Sequence, residues 1–202
     1  MFFKNPIIKF NILVLNELNA PELLPYNYEI IYFFRELLNY QNILILIKSF
    51  YYKKENIWSI IKKMEIDRIN YLVKTYHRIR IGKIENDLLK SGKTFIKYNR
   101  LSIDEKNYIK KYILLCKKFT KSAFLDFFPI KIKNIIRNDM IVFNKKLKNK
   151  SSTYVFFKVL KKKQFIEENV LNILSLFVKT LVYCIEYGKI KKLVYSGIVI
   201  LL

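Results

Sequence analysis

A mainly α fold is predicted: a bundle of about four helices, one of them very long, over residues 1–137, a linker at 138–150 and a small β-rich domain over 151–202. Three observations predict it. All four prolines (Pro6, Pro21, Pro25, Pro129) flank residues 26–128, a stretch that contains only two glycines, Gly82 and Gly92; proline breaks helices and glycine weakens them. Within that stretch apolar residues recur at helical spacing. Beyond residue 138 the chain turns polar and basic ("NKKLKNKSS") and then runs into short segments rich in β-branched and aromatic residues.

A first, weakly marked helix is placed around residues 20–25. The second covers about 27–49, with Ile30, Ile31, Phe34, Leu37 and Leu38 on one face. The third spans about 54–90. Its apolar stripe is Ile69, Leu72, Val73, Tyr76, Ile79 and Ile84, and its length of roughly 55 Å exceeds what a small bundle needs, which points to a partner over part of it. The fourth opens on a capping box, Ser102 with Glu105 three residues on, carries Ile109, Tyr112, Ile113, Cys116 and Phe119, and stops before Pro129. After the linker, "STYVFFKV", "SLFVKTLVYCIEY" and "SGIVILL" read as strands. A β-rich tail of about fifty residues is too small to be very stable alone, so it is expected to lean on the helices or on another protein.

At 202 residues and 52% hydrophobic, the chain has ample material for a core. A formal charge of +22 ordinarily signals a polyanionic partner. Only six of the 38 basic residues are arginine (Arg35, Arg68, Arg78, Arg80, Arg100, Arg137), and the favoured residues Lys, Ile, Asn, Tyr and Phe have A/T-rich codons. Nucleic-acid sites lean on arginine, whose planar fork grips phosphate and guanine in two places. Solvated lysine faces are therefore the stronger reading, and a lysine-driven nucleic-acid-binding protein is the alternative. Cys116 and Cys184 show no metal or disulfide spacing; they fit a reducing compartment and are expected to be buried. The start, "MFFKNPIIKFNILVL", lacks the features of a secretory leader. The greasiest runs, "NILILI" and "GIVILL", fall far short of the roughly 20 residues of a bilayer span, so no membrane partner is expected.

Chemistry is scarce. "DLLKSGKT" ends like a phosphate-binding loop, but Asp87 stands where the motif needs glycine and the segment closes a helix instead of opening one; Gly92 is better read as a helix C-cap. His77 is the one candidate base of its type, yet Lys74 and Arg80 flank it at three positions and no carboxylate stands at i±3 or i±4. No metal cluster or catalytic triad can be assembled. The chain reads as a non-enzyme, with no catalytic residue, metal or cofactor.

The ordered segments "NAPELLPYNYEII", "KKMEIDRINYLVKTYHRIRIGKIE", "LSIDEKNYIKKYI", "STYVFFKV" and "LVYSGIVILL" resemble the GINS family, and within it the Sld-five subunit. GINS is the four-subunit assembly that joins the MCM ring and the Cdc-forty-five protein in the replicative helicase. The resemblance covers roughly residues 19–202 in order. It implies a helical A domain followed by a β-rich B domain, a non-catalytic structural role in initiation and elongation of DNA replication, three sister subunits as partners and a nuclear location. The positions shared with the family fall on Glu65, Arg68, Tyr76, Arg78, Arg80, Lys83 and Glu85 of the long helix and on Ser196 and Gly197, as candidate interface or structural residues. Arg78 and Glu85, seven apart, share a helix face and suit pairing with a neighbouring helix at a partly buried seam. Gly197 is expected at positive φ before the last strand. The chain departs from the family pattern at Gly82, which interrupts the long helix, at extra residues around "IKSFYYKKEN", and between residues 161 and 178, where an acidic loop is missing. The positive charge is also unusual for the family and leaves a DNA contact open.

Overall fold

The computed structural model describes residues 6–51, 57–91, 98–123, 127–129, 152–160 and 181–202. Helices α1 (Pro6–Asn19), α2 (Tyr28–Tyr51), α3 (Ile57–Ser91) and α4 (Ile103–Ala123) come first. Strands β1 (Tyr154–Val159) and β2 (Val182–Glu186), helix α5 (Tyr187–Tyr195) and strand β3 (Val199–Leu201) follow. The architecture is thus mainly helical with a small antiparallel sheet, in strand order β2-β1-β3.

Two helices differ from the sequence expectation. Residues 20–27 are not helical; the first helix lies before them, at Pro6–Asn19. Pro6 sits at its first position, where the missing N–H costs nothing, and its buried side of Phe10, Val14, Asn16 and Glu17 mixes polar with apolar residues, which hides the stripe. The second is α5, absent from the strand reading of "SLFVKTLVYCIEY". Strand β2 ends at Glu186, and Tyr187, Ile190, Leu193 and Val194 become the buried face of a helix at spacings of three and four.

Helix α2 starts where Asn27 Oδ1 accepts the Ile30 N–H at 3.1 Å, an N-cap bond. Helix α3, about 52 Å long at 1.5 Å per residue, runs straight through Gly82. A Cβ there would meet nothing within 4 Å, so the glycine marks no break. The capping box of α4 is formed: Glu105 N–H donates to Ser102 Oγ at 3.1 Å and Ser102 N–H donates to Glu105 Oε2 at 2.9 Å. Of its expected stripe, Ile109 is buried and Tyr112 and Ile113 pack beside it, but Phe119 is 64% exposed. Gly92 and the basic linker run lie outside the described residues.

Among the described residues, three apolar clusters hold the fold. The first joins α1, α2 and α3 through Phe10, Val14, Ile31, Phe34, Leu38, Ile66, Ile69 and Tyr76, with the Phe10 and Phe34 rings stacked at 4.7 Å between centroids. A second joins α3 to α4 through Ile84, Leu88, Leu101 and Ile109, with Leu23 between them. The third is the core of the sheet and α5, and it takes in Ala20 and Leu24 from the segment after α1. The β-rich tail therefore does lean on the helical part.

By length and composition alone, Tyr28–Ile47 of α2 would cross a membrane, which the short-run reading missed because the apolar residues are spread over five turns. In this fold Ile31, Phe34 and Leu38 pack into protein, while Tyr32, Tyr40 and Leu46 stay exposed. The cysteines are also not both buried: Cys116 is half-buried on α4, and Cys184 is exposed, since alternation along β2 turns it away from the core.

Candidate assembly interface and the ion cluster behind it

Arg80 is fully buried in the middle of α3. Its Nε donates to Glu105 Oε1 at 2.6 Å and its Nη2 to Glu105 Oε2 at 3.0 Å, a two-point grip on α4. Nη1 donates to Glu17 Oε2 on α1 at 3.1 Å and to the Leu24 carbonyl at 2.8 Å. Nη2 also reaches the Arg100 carbonyl at 2.9 Å. All five guanidinium N–H groups are thereby used, and the plane lies against the rings of Tyr26 and Tyr76, 5.2 and 5.5 Å from their centroids. Such a buried charge is tolerable only when each donor and each opposing oxygen is engaged.

The cluster extends outward. Lys83, one turn along α3 at the spacing of three, donates to the Glu17 carbonyl, to Glu17 Oε1 at 3.2 Å and to the Glu22 carbonyl at 3.3 Å. Glu22 then ties the helices to the β-rich part. Its carboxylate meets Arg100 at 2.9 Å and Lys191 of α5 at 2.5 Å, and it accepts the hydroxyls of Tyr195 at 2.8 Å and Tyr187 at 3.3 Å. Burial alone would push the Glu22 carboxyl up; the bonds from Lys191, Tyr195 and Arg100, with the Arg100 charge, outweigh it and hold the group at about 2. Burial and the same carboxylate push both tyrosine hydroxyls well above their usual range, so they remain donors.

Eight of the nine sequence-derived positions fall into three groups, and Glu85 stands apart. Arg80 and Lys83 belong to the ion cluster. Tyr76, Ser196 and Gly197 line one cleft of about 650 Å³, together with Glu17. The Tyr76 hydroxyl, buried beside Phe10 and Tyr26, has no hydrogen-bond partner among the described residues. Ser196 caps α5, its Oγ donating to the Leu193 carbonyl at 3.0 Å, and Gly197 takes φ +67 in the turn into β3. The third group, Glu65, Arg68 and Arg78, is exposed on α3; Glu65 pairs with Lys62 at 2.7 Å. Within this chain Arg78 and Glu85 are placed differently. Glu85 accepts the Tyr108 hydroxyl from α4, a bond that pushes the Tyr108 phenol up to about 12, while Arg78 stays in solvent.

Among the described residues no side chain is hydrogen-bonded to His77 to orient it as a base. Its ring packs against Tyr76 and Tyr26, and burial first, with the Arg35 and Arg80 charges, holds its pKa below the usual value against the pull of Glu105 and Asp104. It is neutral at pH 7. Sequence reasoning missed Glu17 and Glu22. The available signal was scarcity: with 16 acidic residues against 38 basic ones, two glutamates in the "NELNAPELL" segment beside apolar residues were candidates for burial with cations.

Outside these contacts α2, α3 and α4 present large apolar side chains to solvent. Leu46 is 68%, Ile57 77%, Met64 66% and Leu114 67% exposed. Exposed leucines are ordinary singly; here they recur on three long helices, interspersed with charged residues.

Comparison of the full sequence with curated proteins returned no match. A scan against protein families matched residues 16–124 to the GINS complex protein helical bundle domain. The match spans more than half of the 202 residues and takes in α2, α3, α4 and the Arg80 cluster, so the chain belongs to the GINS family.

Proposed function

We propose that this chain is the Sld-five-type subunit of a heterotetrameric GINS complex: a non-catalytic scaffold that works in the nucleus with the MCM ring and the Cdc-forty-five protein in the replicative helicase, in initiation and elongation of DNA replication. Its A domain is taken as residues 1–137 and its B domain as 151–202, joined by 138–150. The observation that carries the reading is the contrast between the two sides of the bundle. Inside, the Arg80 cluster locks α1, α3 and α4 together with every donor spent. Outside, large apolar side chains of α2, α3 and α4 such as Leu46, Ile57, Met64 and Leu114 remain exposed among charged ones, as expected of a subunit that sister chains cover in part.

Co-expression with the three other GINS subunits of the source organism tests it. A complex with one copy of each chain by native mass spectrometry supports the reading, as does poor solubility of this chain alone. A monodisperse monomer that ignores the three partners sinks it. Against the lysine-driven alternative, two of the six arginines, Arg80 and Arg100, turn inward to carboxylates. If that alternative holds, the isolated chain binds DNA with a salt slope near −0.9 per phosphate contacted.

A further inference from the structure

The two edges of the small sheet are finished differently. The outer edge of β3 is sealed by asparagines of α1. Asn16 Nδ2 donates to the Val199 carbonyl at 3.2 Å, Asn16 Oδ1 accepts the Leu201 N–H at 2.8 Å, and Asn19 Nδ2 donates to the Leu201 carbonyl at 3.2 Å. A side-chain amide here does the work of a neighbouring strand. No such cover reaches the outer edge of β2 among the described residues. The register pairs Val155 with Ile185 and Phe157 with Tyr183, and the Tyr187 N–H donates to the Thr153 carbonyl at 2.8 Å. The odd-numbered residues of β2 therefore bond to β1, and Val182 and Cys184 turn their N–H and C=O groups outward.

We propose that this edge receives an extended, acidic segment of a partner protein, which adds to the sheet as a fourth strand. An outward row of main-chain donors and acceptors is matched by another extended backbone. Beside the edge, the solvent face of the sheet is apolar: Val182 is 54%, Phe156 57%, Tyr154 74% and Leu202 52% exposed, with Cys184 paired opposite Phe156. An added strand would lay alternate apolar side chains along that face. Its charge follows from Lys158 opposite Val182 and from Lys189, 65% exposed and only loosely paired with Glu186 at 4.0 Å, on a chain of net charge +22.

The test uses the full chain and a fluorescein-labelled peptide alternating glutamate and valine, read by anisotropy. Saturable binding is expected, and N-methylation of one alternating set of peptide amides weakens it at least about tenfold while methylation of the other set does not. Cys184→Pro, which removes an outward N–H and no ladder bond, should give the same loss with an unchanged circular dichroism spectrum. In the free chain the Val182 and Cys184 amides should exchange rapidly with solvent. Absence of binding, equal effects of both methylation sets, or slow exchange at Val182 and Cys184 in the free chain would each overturn the proposal.

Discussion

Arg80 and Glu105 form a two-point ion pair, at 2.6 and 3.0 Å, in which the arginine side chain is wholly and the glutamate almost wholly shielded from water. The same Glu105 Oε2 accepts the Ser102 N–H that starts α4. One carboxylate thus caps its own helix and neutralises the charge at the centre of the next.

Removing the arginine leaves Glu17 and Glu105 buried without a cation at their centre. Arg80→Met should destabilise the chain by about 3–5 kcal/mol, measured by urea unfolding of the assembled complex. Arg80→Lys keeps the charge but cannot span both carboxylates, and should recover only part of the loss.

Glu22 makes the docking of the β-rich part sensitive to acid. Its folded pKa, about 2, lies below the ordinary 4.5, so its contribution is complete above pH 4.5 and is lost as pH falls from there toward 2. With the side chain only 16% exposed, the effect at neutral pH is on the order of 3 kcal/mol. Acid titration followed by amide exchange at Val199–Leu201 should show the sheet losing protection in that window. Glu22→Gln should be less stable at pH 7 and flatter below pH 4.5.

How far all this was legible from the sequence depended on where the signals lie. The capping box of α4 and the long α3 could be read because their cues are local, within three or four residues. The Arg80 cluster could not, because its partners sit 63 and 25 positions away and nothing in a local pattern distinguishes Arg80, fully buried, from Arg78, exposed two residues earlier. Helix α1 was hidden by its own function: Asn16 and Glu17 occupy buried positions that a helix stripe would fill with leucine, one to seal β3 and the other to meet Arg80. For α5, the β-branched and aromatic residues flanking it mask a single buried face of nine residues.

Gly82 and Gly197 should respond oppositely to alanine. At Gly197, φ +67 with open space around the Cβ position makes the cost purely one of backbone, about 1–2 kcal/mol. Gly82 lies mid-helix with nothing within 4 Å, so Gly82→Ala should stabilise the isolated chain by about 0.5–1 kcal/mol. Thermal unfolding of the two variants should move in opposite directions.

Charges placed on the outer helix faces should separate folding from assembly. Leu46 on α2 and Ile57 at the start of α3 are 68% and 77% exposed, so neither fills the core, and Leu46→Glu or Ile57→Glu should change the stability of the chain by no more than about 0.5 kcal/mol. If sister subunits cover these faces, each glutamate must be buried without a cation on binding, which costs several kcal/mol. Pull-down from co-expression should then recover at least about tenfold less of the partner chains, since each 1.4 kcal/mol is a factor of ten in affinity. Normal recovery with both variants would place the subunit contacts elsewhere on α3 or on α4, where Ile103 and Leu114 are exposed apolar side chains to charge.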